Sequence, residues 1–204
     1  MTFQVAGRVM VDMAARDTSV EGRKAQDGRR PRGRFAGNAD GAVAIEFAAL
    51  IIPFCLLVFA ILESCISFAA QQVLSNATDD VARQFRTGQI RQADLESDPF
   101  LVRNQICGKL EMLVASGCPE LEVDLKSYVT FKEAADKRIA FKNNDIDTEG
   151  FDIVPGPSGS KNQLRVFYRW PVMTDFMRKS MSNLRDGKTL LYATVTWQNE
   201  PFDD

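Results

Sequence analysis

Glu46 interrupts a long apolar stretch of the sequence, which is a costly place for a carboxylate. It follows Ala42–Ile45 and precedes Phe47–Leu62, sixteen residues that carry no charge. A charged side chain at the centre of a bilayer costs about 2.5–3.5 kcal/mol on insertion scales, and less near the interface. Glu46 stands only four residues after Ala42, so it could be a harmless interfacial residue or one that needs a positively charged partner. Its position alone favours neither interpretation.

The apolar stretch around this glutamate predicts a membrane-spanning helix. Ala42–Leu62 comprises 21 residues, about 31 Å of helix, and the hydrocarbon core of a bilayer is about 30 Å thick. The alternative, a buried helix of a soluble protein, would normally show a polar face, and this stretch has none.

The charges that flank the stretch predict its orientation. The first basic residue after it is Arg83, whereas four arginines stand just before it: Arg29, Arg30, Arg32 and Arg34. Positive residues stay on the cytoplasmic side, so we expect a cytoplasmic N-terminus and a periplasmic C-terminal domain. Residues 1–41 form a basic, mixed-charge leader that we expect to be disordered.

The helical pattern continues beyond the membrane segment. Apolar residues recur at spacings of three and four along one helical face: Ala70, Val73, Leu74, Ala77, Val81 and Phe85. We therefore predict one long helix over residues 42–88, transmembrane in about 42–66, with Gly88 at its C-terminal cap.

Residues 89–204 predict a small α+β domain with a second helix and an antiparallel sheet. Segments in which apolar and polar residues alternate, or which are rich in β-branched and aromatic residues, predict three strands. Segments with apolar residues at helical spacing predict two further helices. The strands are Leu121–Phe131, Gln163–Trp170 and Leu190–Trp197, and the helices are Pro99–Ala115 and Asp175–Leu184.

Three short motifs resemble those of a known family. The string GAVAIEF over residues 41–47 follows the arginine-rich leader and resembles the processing site of type IV prepilin-like proteins. Residues 82–89, ARQFRTGQ, resemble the end of the first helix in TadE-like proteins, and NEPF over residues 199–202 resembles the ending of the same family. The chain thus resembles a TadE-like minor pilin or pseudopilin of the tight-adherence (Tad/Flp) type IV pilus system. The related TadF and TadG proteins are alternatives.

This resemblance implies a processing step and a set of partners. A prepilin peptidase would cut after Gly41, and Glu46 would become the fifth residue of the mature chain, followed by the aromatic Phe47. The new α-amine on Ala42 would lie one helical turn before Glu46. Either the chain's own amine or that of a neighbouring subunit could pair with the carboxylate. The expected partners are the peptidase, other Tad pilins or pseudopilins and the inner-membrane assembly platform.

The four cysteines predict one disulfide. Cys55 and Cys65 are ten residues apart in the membrane helix, about 15 Å along its axis, so they cannot bridge each other. Cys107 and Cys118 belong to the exported region, where disulfides persist, and we favour a bridge between them. A helix that continued to Ala115 would hold Cys107 about 12 Å from the helix end, so the bridge requires a sharp reversal or an earlier end.

Catalytic and nucleic-acid-binding functions have little support in the sequence. Histidine is absent, which removes the commonest general base and zinc ligand, and no residue pattern predicts a cofactor or metal site. Asp145, Asp147 and Glu149 could suggest a calcium loop, but the glycine and the downstream glutamate of that pattern are missing, and a solvated loop is the better interpretation. Net negative charge argues against nucleic acid. The remaining alternatives are an uncleaved, single-pass membrane protein that presents a periplasmic interaction domain, and an enzyme on a membrane stalk.

Overall fold

A computed structural model describes residues 39–202 of the 204-residue chain. Nearly all of the predicted leader, including the four arginines just before the apolar stretch, lies outside the described residues, and its predicted disorder stays a prediction. Contacts between residues divide the chain into two compact units, residues 1–46 and residues 47–204. The described part of the first unit is the start of one helix, and the second unit holds the remaining elements.

A single helix, α1, runs over Ala39–Arg86 and contains Pro53. Of the described residues, only this helix is long and apolar enough to cross a membrane; its most apolar window has a mean hydropathy of 2.7, and none of that window is buried. The long apolar N-terminal helix expected from the sequence is therefore confirmed, and its end falls within two residues of the predicted Gly88.

Gly88 ends α1 in the way expected for a helix-terminating glycine. Its φ is +71°, the left-handed conformation. Its N–H donates to the carbonyl of Phe85 (3.1 Å), and the N–H of Gln89 donates to the carbonyl of Gln84 (2.9 Å). These two bonds define a Schellman motif, which satisfies carbonyls that the helix end would otherwise leave without partners.

The second unit combines short helices with an antiparallel sheet, which confirms the predicted α+β class. The strands are β1 Leu121–Tyr128, β2 Phe141–Lys142, β3 Asp145–Ile146, β4 Lys161–Pro171 and β5 Lys188–Gln198. The sheet has the order β1-β4-β5, with both pairings antiparallel, and a separate hairpin pairs β2 with β3. The helices are α2 Gln92–Ser97, α3 Leu101–Leu110, α4 Phe131–Asp136 and α5 Asp175–Met181.

The main core lies between the second half of α1 and one face of the sheet. The apolar stripe predicted along α1 is buried there, together with residues of α3 and alternate residues of the strands. Because side chains alternate along a strand, β4 also presents a second face, which packs Phe167 against Ile146, Leu184 and Leu190. The central strand is therefore covered on both sides.

Three predicted elements end three or more residues earlier than expected, and one of them, the helix predicted over Asp175–Leu184, is observed over Asp175–Met181. The helix predicted over Pro99–Ala115 is observed only over Leu101–Leu110, because the chain reverses at Gly117, whose φ is +77°, and Cys118, whose φ is +43°. The first strand ends at Tyr128 rather than Phe131, because Thr130 caps α4 by accepting the N–H of Glu133 at 3.1 Å.

Candidate processing and assembly site

The motif at residues 41–47 lies in the opening turns of α1. Gly41 is exposed within the helix, and a Cβ added to it would meet nothing within 4 Å. Glycine in a helix interior is about 0.5–1 kcal/mol less favourable than alanine. Neither a positive φ nor a close neighbour among the described residues therefore calls for glycine at this position.

Glu46 and Phe47 follow one turn later, and both side chains are exposed. Within residues 39–202, the Glu46 carboxylate makes no hydrogen bond or ion pair. It stands among exposed apolar neighbours such as Val43, Ile45 and Leu50. The arrangement can therefore accept a cationic partner from outside the described chain, and an apolar environment would strengthen that pairing.

Glu63 is a second carboxylate of α1, and it was not singled out from the sequence. Only 8% of the residue is exposed. Its Oε1 accepts the N–H of Met173 at 2.5 Å and the N–H of Thr174 at 3.2 Å, and its Oε2 accepts the Thr174 hydroxyl. Glu63 thereby holds the segment that leads into α5 against α1. The sequence feature that could have drawn attention to Glu63 is its position directly after the charge-free run that ends at Leu62.

The two remaining family-like motifs meet at the other end of α1. The N–H of Glu200 donates to the carbonyl of Arg86 (2.9 Å), and the two side chains form an ion pair at 3.4 Å. A Cβ on Gly88 would lie 2.7 Å from Cγ of Phe202, so glycine is required here by contact as well as by φ. The guanidinium of Arg91 lies over the Phe202 ring, 5.7 Å from its centre.

Asn199, the first residue of NEPF, organises this junction. Its Oδ1 accepts the indole N–H of Trp197 (2.8 Å), and its Nδ2 donates to the carbonyls of Gly156 (2.9 Å) and Pro157 (3.0 Å). Trp197 in turn stacks on Phe85 of α1, with ring centres 6.4 Å apart. The C-terminal end of α1 and the C-terminal tail therefore share one packed junction.

The structure joins Cys107 to Cys118 in a disulfide with a Cα–Cα separation of 5.7 Å, the pairing favoured from the sequence. Because α3 ends at Leu110, Cys107 lies within one turn of the helix end, and the chain can fold back to bring Cys118 within bridging distance. Two further contacts hold the loop: Arg103 donates to the carbonyls of Cys118 and Leu121, both at 2.8 Å, and the N–H of Gly117 donates to Glu111 at 2.9 Å.

Ion pairs occupy the face of the sheet opposite the main core. Asp124 and Arg165 face each other across β1 and β4, almost fully buried, with contacts of 2.5 and 3.0 Å. Arg169 contacts Asp145 at 3.0 Å and Glu122 at 3.3 Å. Burial opposes its charge, but the two carboxylates outweigh that effect and raise the pKa of Arg169.

Two of the three acidic residues of the β2–β3 region have cationic partners, and the third, Asp147, accepts the N–H of Glu149 at 3.1 Å. Asp145, which resembled part of a calcium loop, is paired with Arg169, and Glu149 contacts Lys142 at 3.6 Å. Over residues 39–202, no three acidic, cysteine or histidine side chains are grouped closely enough to hold a metal ion.

Comparison with known proteins identifies the N-terminal region of the chain. A family model described as TadE-like protein matches residues 41–83, which begin at Gly41 and include Glu46, Phe47 and most of α1. No curated protein matches the chain significantly. No solved structure does either. The resemblance drawn from the GAVAIEF motif is confirmed for this segment, which is similar to TadE-like proteins of the Tad pilus system.

Proposed function

We propose that this chain is a non-catalytic, pilin-like component in the assembly of a tight-adherence type IV pilus, processed by a prepilin peptidase after Gly41. The observation that carries the proposal is the family match that starts at Gly41, on a helix apolar enough to cross a membrane.

Gly41 supports recognition by a peptidase. A glycine that is exposed in a helix, with open space around it, reduces helix stability and contributes no packing in return. The presence of glycine at this position is explained if a second protein, such as a peptidase, must approach the backbone at a distance that a side chain would prevent. Close approach of another backbone is one of the uses to which proteins put glycine.

Glu46 supports lateral assembly. An unpaired carboxylate in a membrane is costly, whereas one that pairs with a neighbour's cation sets the register between two subunits. Cleavage after Gly41 would supply such a cation, the α-amine of Ala42, on every subunit. The packing of processed chains side by side would then satisfy both charges.

The topology that fits this function places the leader in the cytoplasm and residues 89–204 in the periplasm. Arginines precede the apolar stretch and none follows it before Arg83. The Cys107–Cys118 disulfide suits an oxidising compartment. The domain would meet the other pilins and the inner-membrane platform from that side.

Co-expression with a prepilin peptidase, followed by N-terminal sequencing, tests the cleavage step. The expected mature N-terminus is Ala42, and Gly41→Ala should leave the leader attached. Gly108→Ala is a matched control, because Gly108 also lies in a helix with nothing within 4 Å of an added Cβ. An intact leader on the wild-type chain would instead favour an uncleaved membrane protein that presents an interaction domain.

Replacement of Glu46 tests the assembly step separately. We expect Glu46→Ala to be cleaved and inserted but to lose surface pili and adherence in a strain that depends on this chain. Glu149→Ala, which removes an exposed carboxylate from a loop, should leave both unchanged. Normal piliation of the Glu46→Ala strain would contradict the role assigned to the carboxylate.

A further inference from the structure

The segment around α5 exposes apolar side chains although it belongs to the folded unit. Met173 and Phe176 are 72% and 66% exposed. Met177 and Phe176 line an apolar crevice of about 690 Å³ whose other wall is α1, including Leu57, Ala60 and Ile61. Within residues 39–202 nothing fills this crevice or covers Phe176.

The position of α5 along α1 is set by Glu63. The carboxylate of Glu63 holds the N–H groups of Met173 and Thr174. A bilayer core about 30 Å thick takes about 20 helical residues, and the apolar stretch that ends at Leu62 has 21. The boundary of the hydrocarbon core therefore falls at the level of α5, and the apolar surface of α1 continues into that of α5.

The charges of the segment suit a membrane surface. Residues 173–188 carry two acidic side chains, Asp175 and Asp186, and four basic ones, Arg178, Lys179, Arg185 and Lys188. The local net charge is +2, whereas the whole chain has a net charge of −2. Arg178 contacts Asp175 at 2.9 Å and Lys188 contacts Glu120 at 2.6 Å, so Lys179 is the base of α5 that has no carboxylate contact among residues 39–202. Basic groups flanking an apolar surface are typical of segments that lie in the interface of an anionic membrane.

We propose that the α5 segment, residues 173–188, is a second membrane contact. Met173, Phe176 and Met177 enter the boundary between acyl chains and headgroups, acyl chains occupy the crevice beside α1, and Arg178 and Lys179 contact anionic headgroups. The contact thereby fixes how deep the folded unit sits relative to the bilayer. This inference rests on α1 spanning the membrane and does not depend on cleavage at Gly41 or on pilus assembly.

Nitroxide labels on the full chain, reconstituted in nanodiscs that contain phosphatidylglycerol, test this contact. Cys55 and Cys65 are replaced by alanine, and single cysteines are introduced at Phe176, Phe100 or Leu57. Phe100 is a matched control because it is 64% exposed. Phe100 lies directly before α3, and Lys109 of α3 pairs with Asp80 of α1. Asp80 is 17 residues, or about 25 Å along α1, from Glu63.

Collisions of each label with oxygen, which concentrates in lipid, are compared with collisions with a water-soluble nickel chelate. We expect oxygen to dominate at positions 57 and 176, and the chelate to dominate at position 100. Dominance of the chelate at 176, with oxygen dominant at 57, overturns the inference while α1 stays in the membrane. Low access of both reagents to position 176 overturns it in favour of a protein partner such as a second copy. Chelate dominance at 57 overturns both this inference and the membrane assignment.

The contribution of the basic residues has its own readout. In discs of phosphatidylcholine alone, the preference for oxygen at position 176 should fall, because the attraction of Arg178 and Lys179 to anionic headgroups is removed. Equal preferences in the two lipids overturn the role assigned to these two side chains.

Discussion

Substitution of Gly88 tests how the end of α1 is joined to the C-terminal tail. Alanine at this position must adopt a φ of +71°, which costs an L-residue about 1–2 kcal/mol. Its Cβ would also lie 2.7 Å from Cγ of Phe202, so the half-buried ring must leave its site. Loss of that partial burial adds about 1 kcal/mol, and we expect Gly88→Ala to lower the free energy of unfolding by about 2–3 kcal/mol in total.

A double-mutant cycle separates the two contributions. In a Phe202→Ala background the collision is absent, so Gly88→Ala should cost only the backbone contribution of about 1–2 kcal/mol. Urea unfolding of the full chain in nanodiscs, followed by tryptophan emission, measures each value because Trp197 stacks on Phe85 at this junction. Gly108→Ala is the control and should stabilise the chain by about 0.5–1 kcal/mol, since Gly108 lies in α3 with open space around it.

Two results would refute this reasoning. An equal cost of Gly88→Ala with and without the Phe202 ring would mean that the ring does not constrain the glycine. No cost in either background would mean that the helix does not end in a left-handed residue at this point.

Three further perturbations address the domain. Asp124→Asn should lower the free energy of unfolding by about 3–5 kcal/mol, because it leaves the buried Arg165 charge unpaired; adding Arg165→Met should recover part of this in urea unfolding. Cys107→Ser with Cys118→Ser should cost about 3 kcal/mol, the loop-closure value for a bridge spanning 11 residues, and a reductant should shift the urea midpoint only in the wild type. Burial raises the pKa of Tyr128, and its hydroxyl has no hydrogen-bond partner among residues 39–202. The stability linked to that neutral hydroxyl is present below about pH 10 and falls as pH rises through the folded-state pKa. The urea midpoint of Tyr128→Phe should equal or exceed that of the wild type at pH 8, and it should decline less steeply than the wild-type midpoint at alkaline pH.

Helices and strands whose apolar residues repeat at a regular spacing could be predicted from the sequence. The stripe from Ala70 to Phe85 repeats at three and four residues, and the structure buries it as the core face of α1. The strand predicted over Gln163–Trp170 is observed over Lys161–Pro171. It could be recognised because both of its faces pack against apolar residues, which requires apolar side chains on each face. Gly88 was recognised as a cap because left-handed helix ends favour glycine.

Features that depend on distant partners could not be anticipated. The role of Glu63 depends on Met173 and Thr174, more than a hundred residues away, and no local pattern signals that contact. The pairing of Asp124 with Arg165 requires the register of β1 on β4, and a shift by one residue would place the two charges on opposite faces. The helices α2 and α4 were missed because six residues are too few to show a period.

The path of the chain through the core has a consequence for biogenesis. The apolar stripe of α1 is made first, yet β4 and β5, which cover it, are made last. A ribosome that has reached residue 160 has therefore produced the apolar stripe of α1 with only α3 and β1 available to cover it. Burial of Phe85 also requires Trp197, which is made later. Such a nascent chain exposes a surface prone to self-association. Loss of the last strand should consequently lead to degradation of the whole protein instead of a shortened but folded one.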